Sequence, residues 1–289
     1  MSWKILRVLT TNVCNYSCLY CHNEGQSVAK EKKELTFEQF QCVMEKITGS
    51  GIREIRFSGG EPLLNKATLN MIEWVDRNSD YEVGLATNGS LITESFAARL
   101  AKTRVMVTLH LPAVKSENYS AVTRADKKNF DMCVELFDKY GINYSFNSVL
   151  YPATIENLDA VINYSITRGK QLKLLPYLEQ DFKNFSAVTM TGIDERLKSF
   201  NGKKTRDEFN GITWWRFPNG AAIKLIDSPC YGKDISKCRA YAEIRLLPSL
   251  ELRTCIFGQS IKLNGVDNLK EILDELWNKF QACPQCLRR

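Results

Sequence analysis

The chain has 289 residues, of which 44% are hydrophobic and 25% charged, a composition that is typical of soluble globular proteins and excludes a disordered chain. Its net charge of +6 is modest and its Lys and Arg residues are scattered along the sequence, which argues against nucleic-acid binding. No apolar run approaches the length of a membrane span, about 20 residues, and no signal peptide precedes the first predicted strand, so we expect a cytoplasmic protein without a membrane partner.

The first part of the chain alternates short strand-like runs with amphipathic helical runs. Six strands are predicted, over Ile5–Thr10, Glu54–Phe57, Glu82–Thr87, Arg104–His110, Asn143–Leu150 and Gln171–Leu175. Five helices are predicted between them, near Thr36–Thr48, Lys66–Arg77, Ile92–Lys102, Phe130–Tyr140 and Ile155–Arg168. This alternation predicts an α/β fold with a parallel sheet and right-handed crossovers. The hydrophobic period alone leaves an open sheet and a barrel as alternatives.

Beyond Pro176 the pattern changes to hairpins. A linking helix is predicted around Ile193–Phe200, and a final amphipathic helix over Val266–Phe280. Between them, alternating segments separated by turn residues predict β-hairpins, over Ile212–Phe217, Ala221–Ile226, Ala242–Leu247 and Leu250–Cys255.

Three cysteines follow the first predicted strand with Cys-x-x-x-Cys-x-x-Cys spacing, at Cys14, Cys18 and Cys21. Three thiolates this close together suit a [4Fe–4S] cluster whose fourth iron stays open for a substrate or cofactor, since electron-carrying clusters are normally held by four cysteines. A zinc site is the alternative, but zinc usually takes two short ligand arms, and the nearest second arm lies more than two hundred residues away. Ten cysteines in a chain without an export signal also favour metal ligation over disulfides.

A second motif, Gly59-Gly60-Glu61-Pro62, comes directly after the second predicted strand. Glycines let the backbone pass close to a ligand, the glutamate supplies a carboxylate, and the proline stiffens the exit from the turn. Alone, this motif is also compatible with an ordinary strand-to-helix turn. Its position forty residues after the cysteines makes the pair specific.

Together the two motifs resemble those of the radical S-adenosylmethionine (SAM) enzymes. The resemblance covers roughly residues 4–176 and implies a partial (β/α)₆ TIM-like barrel, which resolves the ambiguity between sheet and barrel. In that family the open iron chelates the amino and carboxylate groups of SAM. An electron from the cluster then cleaves the sulfonium, and the 5′-deoxyadenosyl radical that forms removes a hydrogen atom from the substrate.

The resemblance also implies contacts for SAM. Tyr20 suits the family pattern in which the backbone beside the third cysteine faces the adenine, and the Gly59-Gly60-Glu61 turn, followed by Pro62, is expected to meet the methionine amino group. Further polar or adenine contacts are expected at the strand ends, from Thr87, Asn88, Thr108, Asn147 and Leu175. A simple turn is the alternative for Asn88, and strand packing is the alternative for Thr108.

His110 ends the fourth predicted strand, at the mouth of the expected barrel, where many relatives carry an acidic residue. A histidine there is suited to binding substrate or transferring a proton. A hydrogen-bonded structural histidine is the favoured interpretation.

A second group of cysteines lies near the C-terminus. Cys238 and Cys255 flank a predicted hairpin with 16 residues between them, and Cys283 and Cys286 follow after another 27. This order resembles the short "twitch" extension, related to SPASM domains, in which four cysteines hold an auxiliary [4Fe–4S] cluster, and tetrahedral zinc is the alternative. Cys230 remains as a buried thiol, a fifth ligand or a hydrogen-atom donor near the substrate.

These patterns divide the chain into three parts. Residues 1–178 are expected to form the radical SAM partial barrel, 179–229 a connecting segment with a β-hairpin, and 230–289 the β-hairpin and helix extension that binds the auxiliary cluster. Parts of the chain look most like the GTP 3′,8-cyclases of molybdenum-cofactor biosynthesis. Those cyclases hold the second cluster with three cysteines and end in a diglycine, whereas this tail is Leu287-Arg288-Arg289, so GTP cyclisation becomes a secondary alternative.

We therefore expect an oxidoreductase that removes a hydrogen atom and then oxidises, cyclises or cross-links the substrate radical, with the auxiliary cluster accepting an electron. A small anionic or nucleotide-like substrate is preferred, because the barrel begins almost at the first residue and leaves no domain there to capture a leader peptide. Maturation of a ribosomal peptide by cross-linking or epimerisation is the alternative. An iron–sulfur or zinc sensor is the non-enzymatic alternative. Flavodoxin or ferredoxin is the expected electron donor.

Overall fold

The computed structural model of the chain describes residues 2–26, 31–178, 190–208, 210–226, 234–263, 265 and 267–282. The described strands are β1 (Ile5–Leu9), β2 (Glu54–Ser58), β3 (Glu82–Thr87), β4 (Met106–His110), β5 (Tyr144–Leu150), β6 (Gln171–Pro176), β7 (Lys203–Asp207), β8 (Ile212–Arg216), β9 (Ala222–Ile226), β10 (Glu243–Leu247), β11 (Glu251–Arg253) and β12 (Ser260–Lys262). They form one 12-stranded sheet in the order β12-β11-β10-β1-β2-β3-β4-β5-β6-β9-β8-β7.

The helices lie mostly between the strands of the first part of the chain. They are α1 (Phe37–Ile47), α2 (Thr68–Asn78), α3 (Glu94–Leu100), α4 (Ser116–Thr123), α5 (Lys128–Tyr140), α6 (Pro152–Ile155), α7 (Leu158–Thr167), α8 (Met190–Lys198), α9 (Ile235–Tyr241) and α10 (Leu269–Lys279). Among the described residues, none of these helices is long and apolar enough to cross a membrane.

The central strands confirm the predicted α/β architecture. Strands β1 to β6 pair in chain order and all run parallel, with helical crossovers between them. Two later strands extend this parallel core, since β10 pairs parallel with β1 at one edge and β9 pairs parallel with β6 at the other. The hairpins predicted after Pro176 are therefore strands of the same sheet.

One face of the sheet packs against helices and forms the hydrophobic core. Strand residues such as Val8, Phe57 and Leu85 are at most 2% exposed and belong to one cluster with helix residues such as Phe40 and Ile72. Strand residues alternate in direction, so the intervening positions face the other side, which we call the inner face. The crossover helices leave this inner face available for a site.

Local capping explains why the first helix begins where it does. The Thr36 hydroxyl accepts a hydrogen bond from the Gln39 amide, and the Gln39 side chain accepts one from the Thr36 amide. This reciprocal pair satisfies two amides that the first helical turn would otherwise leave unpaired.

The C-terminal helix packs back onto the start of the chain. The Trp3 indole N–H donates to the Leu273 carbonyl at 2.9 Å, and the Trp3 ring meets Trp277 edge-on with centroids 5.0 Å apart. Phe280 completes this contact at 5.5 Å. Helix α10 thus covers the N-terminal end of β1.

Five of these elements were not predicted from the sequence. Helix α4 lies between β4 and α5, the short helix α6 follows β5, helix α9 precedes β10, and strands β7 and β12 lie at the two edges of the sheet. The two edge strands lack the hydrophobic alternation that marks a strand, because Lys203–Asp207 is polar throughout and Ser260–Lys262 has only three residues. The division of the chain at residues 178 and 229 stays a prediction.

Candidate active site

The three N-terminal cysteines share the loop that follows β1. Cys14 and Cys21 are exposed and Cys18 is partly buried. The Cys14 sulfur accepts the Tyr16 amide at 3.4 Å, and the Cys21 sulfur accepts the Asn23 amide at 3.3 Å. Backbone donors aimed at sulfur stabilise thiolates, which are the form that binds iron.

The sulfur atoms of this loop influence one another. Partial burial, with the charges of Glu61 and Cys21, raises the pKa of Cys14 to about 11. Partial burial, with the charges of Cys21 and Cys14, raises that of Cys18 to about 12. In the described part of the chain, no group of three or more His, Cys, Asp or Glu side chains is arranged so that it could hold a metal ion. The donor set nevertheless fits an iron–sulfur cluster, because clustered thiolates repel one another unless a metal neutralises them.

The glycine turn after β2 lies directly against the cysteine loop. The Gly60 amide donates to the Thr11 carbonyl and the Glu61 amide to the Val13 carbonyl, both at 2.9 Å. A Cβ atom at Gly60 would lie 2.0 Å from the Val13 carbonyl oxygen. A glycine is required there because two backbones approach each other, so this turn supports the loop that carries the cysteines.

The Glu61 carboxylate joins the ends of β2 and β3. It accepts hydrogen bonds from the Thr87 hydroxyl at 2.6 Å, the Asn88 amide at 2.8 Å and the Leu63 amide at 3.1 Å, and the residue is 1% exposed. Burial raises the pKa of Glu61 to about 7, against the opposing effect of these hydrogen bonds. Glu61 and Thr87, which the family resemblance implies as SAM contacts, are thus bound to each other in the protein alone.

Asn88 continues this connection to the cysteine loop. Its side-chain amide donates to the Asn15 side-chain oxygen at 2.9 Å and lies 4.0 Å from the Cys14 sulfur. The Asn15 amide in turn donates to the Ser90 hydroxyl at 2.8 Å. The end of β3 therefore positions the first cysteine.

Tyr20, directly before the third cysteine, forms a different contact. The Tyr20 hydroxyl is hydrogen-bonded to Nε2 of His110, and Nδ1 of His110 lies 2.9 Å from the Asn147 side-chain oxygen. The Tyr20 ring also lies 5.8 Å from that of Tyr151. Burial raises the pKa of Tyr20 and lowers that of His110, so both side chains are neutral. Both His110 ring nitrogens have hydrogen-bond partners, and the roles expected of His110 from the sequence stay predictions.

The remaining predicted SAM contacts occupy the carboxyl-end region of the same strands. The Thr108 hydroxyl lies 3.3 Å from the Ser145 hydroxyl across β4 and β5. Leu175 is half-buried near the end of β6. Pro62 is buried in the turn after Glu61, and its carbonyl accepts the Thr68 hydroxyl at 2.6 Å.

The inner face carries a row of cations that we did not predict. At one end, Arg7, Arg56 and Arg245 lie side by side on β1, β2 and β10. The Glu243 carboxylate forms ion pairs with the guanidinium groups of Arg7 at 2.8 Å, Arg245 at 2.7 Å and Arg56 at 3.5 Å. The three arginines hold the pKa of this buried glutamate far below its ordinary value.

Two lysines extend the row at the other end. Lys173 on β6 and Lys224 on β9 are register partners, and both are half-buried. Burial, followed by the charges of Arg56, Lys224 and Arg7, lowers the pKa of Lys173 to about 8. Strands β2 and β6 would lie about 19 Å apart in a flat sheet, at about 4.8 Å per strand. The effect of Arg56 on Lys173 agrees with a curved sheet, as in a partial barrel.

The signal for these cations was present in the sequence. Each lies between hydrophobic residues of a strand, as in Leu6-Arg7-Val8, Leu172-Lys173-Leu174 and Ile223-Lys224-Leu225. A charged residue in such a position must face the side opposite to the core. Which cations face one another depends on strand order, which local pattern does not reveal.

The second cysteine group is described only in part. Cys238 lies on α9, and Cys255 follows β11, where its sulfur accepts the Phe257 amide at 3.5 Å. Against the opposing effect of burial, the charges of Glu243 and Glu24, and to a smaller extent that of Cys255, raise the pKa of Arg245, so Cys255 lies near the cationic inner face. Cys230, Cys283 and Cys286 lie outside the described residues, and their roles stay predictions.

Comparison with known sequences places this geometry among related proteins. A model of the radical SAM superfamily matches residues 8–164 of the chain. A probable GTP 3′,8-cyclase of Methanocaldococcus jannaschii is 33% identical over 278 residues, which cover 94% of this chain and 89% of that protein. Another, from Sulfurisphaera tokodaii, is 32% identical over 278 residues and covers 92% of this chain and 85% of that protein.

Comparison with solved structures shows the same fold. Streptococcus suis SuiB bound to the precursor peptide SuiA superposes with a TM-score of 0.76 at 15% identity, covering 98% of this chain and 68% of that one. SuiB bound to S-adenosylmethionine superposes with a TM-score of 0.71 at 16% identity, covering 96% of this chain and 66% of that one.

Proposed function

Because this chain belongs to the radical SAM superfamily, whose members are enzymes that use a [4Fe–4S] cluster and S-adenosylmethionine, we propose that it removes a hydrogen atom from a small anionic substrate and then oxidises, cyclises or cross-links it. The observation that carries the substrate class is the row of cations on the inner face. Arg7, Arg56, Lys173, Lys224 and Arg245 share that face.

We propose that Cys14, Cys18 and Cys21 hold the catalytic cluster. When bound, the cluster and SAM supply a one-electron cleavage of the sulfonium and hence a 5′-deoxyadenosyl radical that abstracts hydrogen. The protein's own part is to hold the loop. The turn at Gly60 and the amide of Asn88 support the Cys14 side, and the Tyr20–His110 hydrogen bond supports the Cys21 side.

The residues around this loop are also our proposed SAM contacts. Gly59, Gly60 and Glu61 lie beside the loop, and the Thr87-Asn88 strand end adjoins them through Glu61. Thr108, Asn147 and Leu175 follow on β4 to β6. Since Glu61 is already hydrogen-bonded by three donors, we propose that it acts by holding the turn and that the backbone of the turn meets SAM.

An anionic substrate agrees with the electrostatics of the inner face better than a neutral peptide does. Cations whose charge is not fully neutralised in a partly buried site attract anions strongly, because water screens them less. The curated relatives named as probable GTP 3′,8-cyclases make a nucleotide the leading example. Peptide maturation stays the second candidate, because the fold is shared with SuiB, which was solved with its precursor peptide.

We propose an auxiliary cluster, held by Cys238, Cys255, Cys283 and Cys286, as the acceptor of the substrate's electron. The proximity of Cys255 to Arg245 supports this proposal, because it brings one ligand to the edge of the cationic face. Cys230 is proposed as a further thiol near the substrate. A cytoplasmic location with flavodoxin or ferredoxin as electron donor would keep these thiols and clusters reduced.

Turnover tests the substrate class directly. Anaerobically reconstituted, reduced protein is incubated with SAM and with either a panel of phosphorylated metabolites that includes GTP or a panel of short peptides. We expect the anionic panel to raise the rate of 5′-deoxyadenosine formation. Stimulation by peptides alone would contradict the anionic substrate, and no 5′-deoxyadenosine under any condition would contradict the catalytic proposal.

Iron and sulfide analysis tests the two cysteine groups separately. We expect about eight iron atoms per reconstituted chain, in two [4Fe–4S] clusters. The Cys14→Ala and Cys255→Ala variants are each expected to lose about four of these, and Cys42→Ala, which changes an exposed cysteine of α1, to lose none. About four iron atoms in the unchanged protein would defeat the auxiliary cluster.

A further inference from the structure

The segment that follows the third cysteine has a strained backbone. Asn23 and Glu24 adopt φ angles of 45° and 52°, in the left-handed region. Asparagine tolerates that region, whereas glutamate enters it against the steric cost of its own Cβ atom. Such a conformation persists only where the surrounding structure holds it. Contacts made by these two residues must therefore hold the segment in place.

The Glu24 carboxylate contacts three strands. One of its oxygens lies 3.4 Å from the Arg7 guanidinium on β1 and 3.4 Å from the Ser58 hydroxyl on β2, and the other lies 3.4 Å from the Arg245 guanidinium on β10. Only 18% of the Glu24 side chain is exposed. Against the opposing effect of burial, the charges of Arg7 and Arg245 lower the pKa of Glu24, so this side chain is a carboxylate at neutral pH.

The same carboxylate acts on the third cysteine. The Cys21 sulfur accepts the Asn23 amide at 3.3 Å, so the left-handed segment is bonded directly to a proposed cluster ligand. Burial raises the pKa of the Cys21 thiol against the effect of that hydrogen bond, and the charge of Glu24 adds to the rise. The position of the Cys21 sulfur therefore depends on the segment that Glu24 holds.

Arg245 connects this arrangement to the C-terminal part of the chain. It lies 221 residues after Glu24, on the strand that follows helix α9 with Cys238 and that pairs with β11, after which Cys255 comes. Its guanidinium also pairs with Glu243 at 2.7 Å, which fixes it on the inner face. An ion pair that is mostly buried is screened little by water, so it can couple two segments that are distant in the chain.

We propose that Glu24 is a positioning residue of the catalytic site, and that its ion pair with Arg245 couples the cysteine loop to strand β10. This inference rests on the catalytic cluster proposed for that loop, and it adds a partner for the loop from outside the predicted barrel. The Cys14 side of the loop is held independently, by the Gly60 turn and by Asn88. Loss of the ion pair should therefore loosen the Cys21 side alone.

Hydrogen exchange of the full-length, anaerobically reconstituted protein measures this local effect. Glu24→Gln keeps the size of the side chain and removes its charge, so we expect exchange about tenfold faster in residues 21–26 and unchanged in residues 11–15. Arg245→Gln should accelerate the same residues about threefold, because Arg7 remains as a partner. The double variant should be no faster than Glu24→Gln, and Arg245→Lys should restore most of the protection.

Glu54→Gln is the matched control. Glu54 is 22% exposed and pairs with Arg56 on the same face. It lies four residues before Ser58 on β2, about 13 Å from the strand position that Glu24 contacts. Its loss should leave exchange in residues 21–26 unchanged.

The reduction potential separates positioning from a general loss of stability. In a Cys255→Ala background, which lacks the proposed auxiliary cluster, electron paramagnetic resonance follows reduction of the remaining cluster. Glu24→Gln removes a negative charge beside Cys21 and should raise its potential, whereas Arg245→Gln removes a positive charge and should lower it. General destabilisation would not shift the potential in opposite directions.

The outcomes distinguish this inference from the proposed function. Normal exchange in Glu24→Gln, equal acceleration by Glu54→Gln, or potential shifts of the same sign would overturn the coupling and leave the catalytic cluster in place. If the thermal transition shows that Arg245→Gln does not fold, Glu24→Gln decides alone, since only acceleration confined to residues 21–26 supports the coupling. If the unchanged protein holds no iron at the cysteine loop, the proposed function fails together with this inference.

Discussion

Glu61 shows how one side chain connects parts of the chain that are distant in sequence. It follows the two glycines that approach the cysteine loop, and its carboxylate binds the end of β3. Its one partner nearby in sequence is the Leu63 amide, and its other two donors come from the end of β3. Its three donors explain why this glutamate is tolerated in the interior, since a buried carboxylate must be hydrogen-bonded.

Removing that carboxylate should destabilise the fold. Glu61→Ala leaves the Asn88 and Leu63 amides and the Thr87 hydroxyl without their acceptor, so we expect the free energy of unfolding to fall by about 3 kcal/mol. Denaturant unfolding of the protein measures this change. Glu82→Ala, at an exposed position of β3, should change it by less than about 0.5 kcal/mol. Equal effects of the two changes would contradict the connecting role.

Lys173 should make the protein more stable as the pH rises, whereas a lysine that gains a carboxylate partner on folding has the opposite effect. Its folded pKa is about 8, below its ordinary value of 10.5, so between those values the unfolded chain binds more protons and stability rises with pH. At pH 7 we expect Lys173→Met to be more stable than the unchanged protein by about 1–2 kcal/mol, after allowing for screening by water.

The quantity to measure is the difference in the free energy of unfolding between Lys173→Met and the unchanged protein. It should shrink as the pH rises from about 8 towards about 10.5, because the unchanged protein then loses the unfavourable charge. Unfolding curves at several pH values measure it. A difference that is constant across this range would show that Lys173 is not electrostatically strained.

At the scale of elements, loop and helix positions depend on a few contacts between distant segments. The cysteine loop is held by the turn after β2, by Asn88 after β3 and by His110 on β4. Helix α10 depends on the N-terminal segment, through Trp3. Each of these elements was predicted at its place in the sequence, but its partner was not.

Trp3→Ala should loosen helix α10. Trp3 is 1% exposed, and its loss removes the hydrogen bond to Leu273 and both ring contacts, so we expect a destabilisation of about 3–5 kcal/mol. Hydrogen exchange should become faster in α10 than in the central strands. Trp74→Ala, which changes a half-buried residue of α2, is the control and should leave hydrogen exchange in α10 unchanged. Uniformly faster exchange would contradict specific docking.

For the whole molecule, the sheet does not end where the sequence pattern changes. Strand β9 pairs with β6 and β10 with β1, so both edges of the predicted barrel are covered by later strands. The predicted boundary at residue 178 is therefore crossed by backbone hydrogen bonds on two sides. Such edges expose unpaired amides and carbonyls when they are uncovered.

A chain that ends at residue 178 should fail to fold as a soluble domain. It would lose β9, β10 and the contact of α10 with Trp3, and its two exposed edges would favour aggregation. Circular dichroism and size-exclusion chromatography of this fragment, beside the full chain, measure the outcome. A monomeric fragment with cooperative unfolding would show instead that residues 1–178 are an independent domain.

Much of the fold was accessible from the sequence because its signals are local. The positions of β1 to β6 follow from short hydrophobic runs, and the motifs at Cys14 and Gly59 consist of neighbouring residues whose spacing carries the chemistry. The family follows from those same motifs. Edge strand β7 was missed because it is polar throughout and, among the described strands, pairs with β8 alone.

The sequence by itself thus determined the class of enzyme and the cysteine loop, since both depend on residues that are close together in the chain. Only the tertiary structure decided which side chains share a face of the sheet. Arg7, Lys173 and Lys224 are far apart in sequence and share one inner face because of strand order and curvature. The ion pair of Arg7 with Glu243 exists only there, because ion pairs depend on distance in space and not on position in the chain.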